Sequence, residues 1–241
     1  MEWTDFGTIR SSDIPLAERV ATQISELIVE RHLTSEDKLP NEFELASMLN
    51  VGRGTIREAV KILVARNVLV IRRGKGTYIA SHPGEIEDPL GFAYYDNQLQ
   101  LAKDLLEVRL QMEPWVTKIA SERATKEDIE KMWEKCHLVE EDILAGRNHL
   151  PNDTRFHTSI AECTHNMVVP KLIPIITYSV GLFGSITGNS LRTETIIDHR
   201  AVAEAIGARD GERAAASMRQ HLLANKKELD AIEKDMNERG E

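Results

Sequence analysis

At 241 residues, 41% hydrophobic and 29% charged, the chain is long enough for one large domain or two smaller ones, and a part of about 160 residues buries its own core. Two cysteines, Cys136 and Cys163, exclude a disulfide framework, and no charged segment followed by an apolar run opens the chain, so the expected location is the reducing cytoplasm. The net charge of −9 argues against nucleic acid as a partner of the chain taken whole, but residues 1–50 sum to −6, residues 51–80 to +6 and residues 81–241 to −9. In the middle block Arg53, Arg57, Lys61, Arg66, Arg72, Arg73 and Lys75 stand against the single acid Glu58, a local footprint for polyanions.

From Ile14 to His32 the apolar residues Leu16, Val20, Ile24, Leu27 and Ile28 recur at helical spacing. In "KLPNEFELASMLN", Asn41 is placed to cap a short second helix whose third residue, Glu44, reaches back, with Phe43, Leu45 and Leu49 as its apolar contacts. "NVG" reads as a turn. A third helix beginning near Arg53 carries the stripe Ile56, Val60, Leu63 and Val64, with Arg53 and Arg57 one turn apart on a different face. Two β-rich runs, Val68–Ile71 and Thr77–Ala80, then flank a hairpin tip of Arg72, Arg73, Gly74, Lys75 and Gly76. Helix, short helix, turn, helix and basic hairpin is the order of a winged helix-turn-helix. Such a motif sends the first turn of its third helix into the major groove and its hairpin to an adjacent groove or to phosphates. A charged helix face alone is usually only solvated; the combination points to DNA. "GRGTIRE" lacks the Gly-Lys-Ser/Thr ending of a Walker phosphate loop.

The stretch "KLPNEFELASMLNVGRGTIREAVKILVARNVLVIRRGKGTYI" resembles the DNA-binding domain of the GntR family of bacterial transcription regulators. The resemblance implies that Arg53 and Arg57 read bases or adjacent phosphates, that Thr55 contacts phosphate, and that the Gly74–Gly76 wing tip enters the minor groove. Asn41 and Gly52 depart from the family's usual Ser, and Phe43 stands where relatives often carry a basic residue. Gly at an N-cap costs only a few tenths of a kcal/mol relative to Ser, so Gly52 still permits a helix start.

"SHPGEIEDPLGFAYYDN" collects Pro83, Gly84, Pro89, Gly91 and several acids where periodicity lapses. The expected organisation is a winged domain over 1–81, a linker over 82–97 and a helical domain over 98–238. Six helical patterns follow, over 101–124, 126–146, 152–164, 169–186, 193–209 and 211–236, which predicts a mainly α protein ending in an antiparallel bundle. Thr125 or Lys126 and the pair Asp210-Gly211 are plausible punctuation. The most apolar run, "MVVPKLIPIITYSVGLFGSI", contains Lys171 and two prolines and reads as a buried helix rather than a membrane span.

Inside this bundle Asp153 and His157 lie four residues apart on one helix face. His199 and His221 stand eleven residues before and eleven after Asp210, so antiparallel neighbours joined by a tight turn there bring both into one interior. One carboxylate and three imidazoles suit Zn²⁺, Ni²⁺, Mn²⁺ or Fe²⁺. Each residue also has a plainer role: a histidine solvated or packed in a core, or, for Asp153, an acid favoured by a helix N-terminus. His32, His82, His137, His149 and His165 default to the plainer role.

The region from Leu99 to Leu229 resembles the all-helical FCD effector domain of the FadR subgroup of the GntR family, through "EVRLQME", "DTRFH", "HRAVAEAI" and "AAASMRQHL". Similarity to its metal-dependent branch implies that Asp153, His157, His199 and His221 bind a divalent metal, with zinc first and nickel, manganese or iron as alternatives. It also implies that Arg109 holds the carboxylate of a small organic acid, against the plainer role of pairing with Glu107 or Glu113. Tyr178, Phe183 and Arg192 are candidate pocket walls. The expected protein is a metabolite-responsive transcriptional repressor, a homodimer on a palindromic operator in double-stranded DNA, with no catalytic residues and no membrane association. A metalloenzyme, either a hydrolase or a non-haem oxygenase, and a metal sensor without organic effector are the alternatives. Against the enzyme, no independent general base, no His-Glu-x-x-His and no partner for Cys163 are visible.

Overall fold

A computed structural model of the chain describes residues 14–86, 88–188 and 192–239. Two compact units divide at Pro89–Leu90. The division falls inside the proline- and glycine-bearing stretch where helical periodicity lapses.

The first unit contains α1 (Leu16–Glu30), α2 (Glu42–Met48), α3 (Arg53–Ala65), β1 (Leu69–Arg72) and β2 (Gly76–Ile79). Val20, Ala21, Ile24 and Ile28 of α1 meet Ile56, Ala59, Val60 and Leu63 of α3 in one core, closed below by Leu69 and Ile79 of the hairpin. Asn41 caps α2: its Oδ1 accepts from the backbone N–H groups of Phe43 and Glu44, while the Glu44 carboxylate accepts from the Asn41 N–H. The strands pair antiparallel from Leu69 opposite Ile79 to Arg72 opposite Gly76, leaving Arg73, Gly74 and Lys75 as the tip. Gly76 sits at φ 123°, a backbone conformation that residues with a Cβ rarely adopt, which favours glycine there. Three expected core contacts point outward. Phe43 is 70% exposed because it lies two residues from Leu45 on a two-turn helix and therefore on the opposite face; Leu16 and Val64 are also exposed, with Ala59 completing the α3 stripe.

After a 3-10 turn at Phe92–Tyr94, the second unit has α4 (Gln98–Arg123), α5 (Lys126–Leu144), α6 (Leu150–Glu162), α7 (Val169–Ile176), α8 (Tyr178–Thr187), α9 (Arg192–Gly207) and α10 (Gly211–Arg239). Among the described residues this gives seven helices where six patterns are read from the sequence. The run expected to form one buried helix is two, joined at Thr177. Pro174 removes a backbone donor three residues earlier, and at Thr177 both the backbone N–H and the hydroxyl donate to the Ile173 carbonyl. The run is only partly buried, with Val168 and Leu172 facing outward. Long α4 and α10 pack along each other, α9 lies on α10 and α5, and α6 lies on α5. Phe156, Ile160, Met132, Ile206, Met218 and Leu222 fill the centre. Gly211 opens α10 where a Cβ would stand 3.0 Å from Ser121 Oγ and 3.1 Å from Lys118 Cγ. The tight α9–α10 turn closes through Arg209 at φ 61°, with the Asp210 N–H donating to the Ala205 carbonyl, and fixes the register of His199 against His221.

Candidate functional site

The first unit displays its polar groups outward. Arg53 opens α3 behind the N-cap Gly52, and Arg57 follows one turn later; both are exposed, with Thr55 half-buried between them. The Arg57 guanidinium donates through Nε and a terminal nitrogen to the Glu42 carboxylate at 3.3 and 2.9 Å, which draws the Glu42 carboxyl below its ordinary range. At the hairpin, Arg72 lies 4.3 Å over the Tyr78 ring and donates to the Ser35 carbonyl, whereas Arg73 and Lys75 extend from the tip into solvent. The arrangement is a basic surface on a helix N-terminus and a hairpin tip, with one arginine held in reserve by an acid.

The second unit does the reverse and gathers its polar groups inside. On α4, Arg109 and Glu113 are one turn apart, with side chains only 2% and 3% exposed. One Glu113 oxygen accepts from Arg109 Nε and the other pairs with His157 Nδ1 on α6. Burial alone would raise the Glu113 carboxyl, but the neighbouring Arg109 and His157 hold it well below the usual carboxylate range. His157 Nε2 then faces Asp153 Oδ2 at 3.6 Å, and Asp153 Oδ1 faces His199 Nε2 of α9 at 3.5 Å. From α10, His221 completes the group, with Asp198 Oδ2 at 3.7 Å from its Nδ1. One nitrogen from each of His157, His199 and His221 lies within 4.8 Å of the others.

This cluster has the chemistry of a cation site. His199 is 1% exposed, yet neither ring nitrogen has a hydrogen-bond partner among the described residues. Burial, reinforced by His221, His157 and Arg109, pushes its imidazole well below the ordinary value, which keeps the ring neutral with a lone pair to offer. Glu113 at Nδ1 of His157 favours the tautomer whose Nε2 lone pair points inward, the arrangement commonly found behind metal-ligating histidines. Three such nitrogens with one carboxylate fit a divalent ion; the ion would satisfy the orphaned His199 nitrogen and present a Lewis-acidic point to a ligand oxygen.

A small cavity of about 30 Å³ adjoins the cluster, lined among others by Arg109, His149, Asp153, Phe183, Arg192, His221 and Asn225. The structure thus brings Asp153, His157, His199, His221 and Arg109 together, with Phe183 and Arg192 as walls. Arg109 also makes the pair with Glu113 that was its plainer alternative. Tyr178 does not line this cavity; it packs against Phe92 with ring centroids 5.5 Å apart, because the break at Thr177 turns it away. His149, expected to be an ordinary histidine, is 5% exposed and lines the cavity. His165 is exposed and bonded to Asp128, and His137 stacks on Trp133. Asn225 stands one turn after His221 and Asp198 one residue before His199, so both were within reach of a periodicity argument that followed only the histidines. Cys136 and Cys163 are buried, and burial pushes both thiols up to about 12, far from nucleophilic use.

Known proteins share both units. Residues 16–79 match the family model of bacterial regulatory proteins, gntR family, and residues 104–224 match the FCD domain. The putative L-lactate dehydrogenase operon regulatory protein of Escherichia coli (strain K12) is 33% identical over 224 residues, covering 86% of this chain and 83% of that protein. The Uxu operon transcriptional regulator of the same organism is 29% identical over 224 residues, covering 88% and 86%. The solved structure of Streptococcus agalactiae GntR superposes with a TM-score of 0.76 at 35% identity, covering 88% of this chain and 99% of that chain. These domains and relatives are regulators of transcription, not enzymes. The chain belongs to the GntR family of bacterial transcriptional regulators, in the FadR-like subgroup that carries an FCD domain.

Proposed function

We propose that the protein is a metabolite-responsive repressor in which a divalent metal and a small carboxylic acid, bound together in the helical domain, control DNA binding by the winged domain. The observation that carries this reading is the convergence of Asp153, His157, His199 and His221 beside a cavity that Arg109 also lines. Arg109 presents a planar fork suited to a carboxylate, and zinc is the first choice for the ion. The winged domain spans 1–81, the linker 82–97 and the effector domain 98–238. Arg53, Thr55 and Arg57 meet bases and phosphates of the major groove, and Arg72, Arg73, Gly74, Lys75 and Gly76 form the wing that reaches the neighbouring groove.

A palindromic operator read by two recognition helices about one helical turn apart calls for a homodimer, which acts in the cytoplasm. The acid binds the DNA-free arrangement more tightly than the DNA-bound one and so releases the operator. The relative named for an L-lactate dehydrogenase operon supports a link to the metabolism of a small acid. Thermal-shift titration of the metal-loaded chain with hydroxy, keto, di- and tricarboxylic and sugar acids tests the site. At least one acid raises Tm in the wild type and none does in Arg109→Ala; an acid response that is indifferent to Arg109 contradicts the reading.

A further inference from the structure

Three of the four side chains from Asn41 to Glu44 are committed within the winged unit. Asn41 accepts from the backbone N–H groups of Phe43 and Glu44, and the Glu44 carboxylate accepts from the Asn41 N–H. Glu42 holds the Arg57 guanidinium of α3 at 2.9 Å. Phe43 is the remaining one and is left 70% exposed. The other aromatic residue among the described residues of this unit, Tyr78, lies beneath Arg72. Consecutive Cα atoms are about 3.8 Å apart, so Phe43 stands at the edge of the surface on which Glu42 meets Arg57. The neighbouring charge says what kind of partner covers the ring, since the exposed Arg53 and Arg57 suit a polyanion and an apolar protein face does not.

We infer that Phe43 reads a thymine in the operator by packing its ring on the 5-methyl group that thymine presents in the major groove. This rests on the reading that α3 enters that groove with Arg53 and Arg57. An arginine recognises acceptors, which in the major groove means guanine edges or phosphates. Phenylalanine has no donor or acceptor, so it cannot choose among bases by hydrogen bonding. The thymine methyl is the apolar feature of the major groove, and a ring that is exposed in the free protein gains by closing over it. Phe43 thereby adds a preference for A·T beside positions where the arginines favour G·C.

The test removes the methyl and nothing else. The upstream fragment retarded by the wild-type protein is amplified once with dTTP and once with dUTP, which keeps every hydrogen-bonding group of the bases. Mobility-shift titration of the full chain compares the two fragments. The wild type binds the thymine fragment at least about fourfold more tightly, the effect expected of one buried methyl. Phe43→Ala binds both fragments equally, and Phe43→Leu, which keeps an apolar tip, retains at least about a twofold preference; neither variant changes Tm, because the ring is mostly exposed. A wild type indifferent to uracil, or a preference that persists in Phe43→Ala, overturns the inference. Arg53→Ala with Arg57→Ala separates the two readings: if that variant loses binding while the wild type ignores uracil, α3 still enters the groove and Phe43 alone is misassigned. If it binds as tightly as wild type, the major-groove reading falls and this inference with it.

Discussion

Two of the Arg–Glu pairs among the described residues, one in each unit, look alike on paper and differ in burial and in what surrounds them. Arg57 and Glu42 meet at 2.9 Å with side chains 60% and 41% exposed, on the surface of the winged unit. Arg109 and Glu113 meet one turn apart inside the helical unit, almost wholly buried, with His157 on the second carboxylate oxygen. Water screens the first pair and competes for both partners, so it opens readily and leaves an arginine available to phosphate. Neither member of the second pair can be removed without stranding a charge. The winged unit therefore carries replaceable surface charges, while the helical unit holds a fixed polar cluster.

The sharpest way to break this contrast is Glu113→Ala. It leaves Arg109 uncompensated and frees His157 to adopt the wrong tautomer, and chemical denaturation of the metal-free chain should show a loss of about 3–5 kcal/mol. A smaller loss would mean that the pair is not sealed from water. Next in size, Arg53→Ala with Arg57→Ala should weaken binding to a fragment from the gene's own upstream region by at least about 100-fold, while Tm and metal content stay at wild-type values. Mobility-shift titration and elemental analysis read the two halves of that statement. The smallest effect belongs to Glu42→Ala. Melting should detect no change, and DNA affinity should rise by about 2- to 5-fold as Arg57 is released and an acid leaves the phosphate-facing surface. Weaker DNA binding in that variant would show that Glu42 positions Arg57 rather than restraining it.

Much of this was legible in the sequence because it is local. The Asn41–Glu44 capping box, the turn before Arg53 and the Gly-Lys-Gly hairpin each depend on residues within a few positions of one another. The four-residue step from Asp153 to His157, and the placement of His199 and His221 about a tight turn, carry the cluster of histidines in the same way. The misses have separate physical origins. His149 lies in the non-periodic stretch ahead of α6, and its burial depends on the α8 and α9 walls of the cavity. The split of the apolar run at Thr177 leaves no mark in the hydrophobic pattern, which runs on into Val180, Leu182 and Phe183. Phe43 faces solvent because two turns of helix fix no reliable apolar face.

The central claim is that the buried cluster governs the basic surface through a ligand, and one measurement addresses it directly. DNA affinity is measured on the upstream fragment for metal-loaded wild type and for His157→Ala, each with and without an acid that raises the wild-type Tm. The acid should weaken wild-type binding by at least about 5-fold, within the range of ordinary allosteric coupling. His157→Ala should bind the fragment as tightly as acid-free wild type and ignore the acid. An acid that stabilises the wild type yet leaves its DNA affinity unchanged would contradict the account.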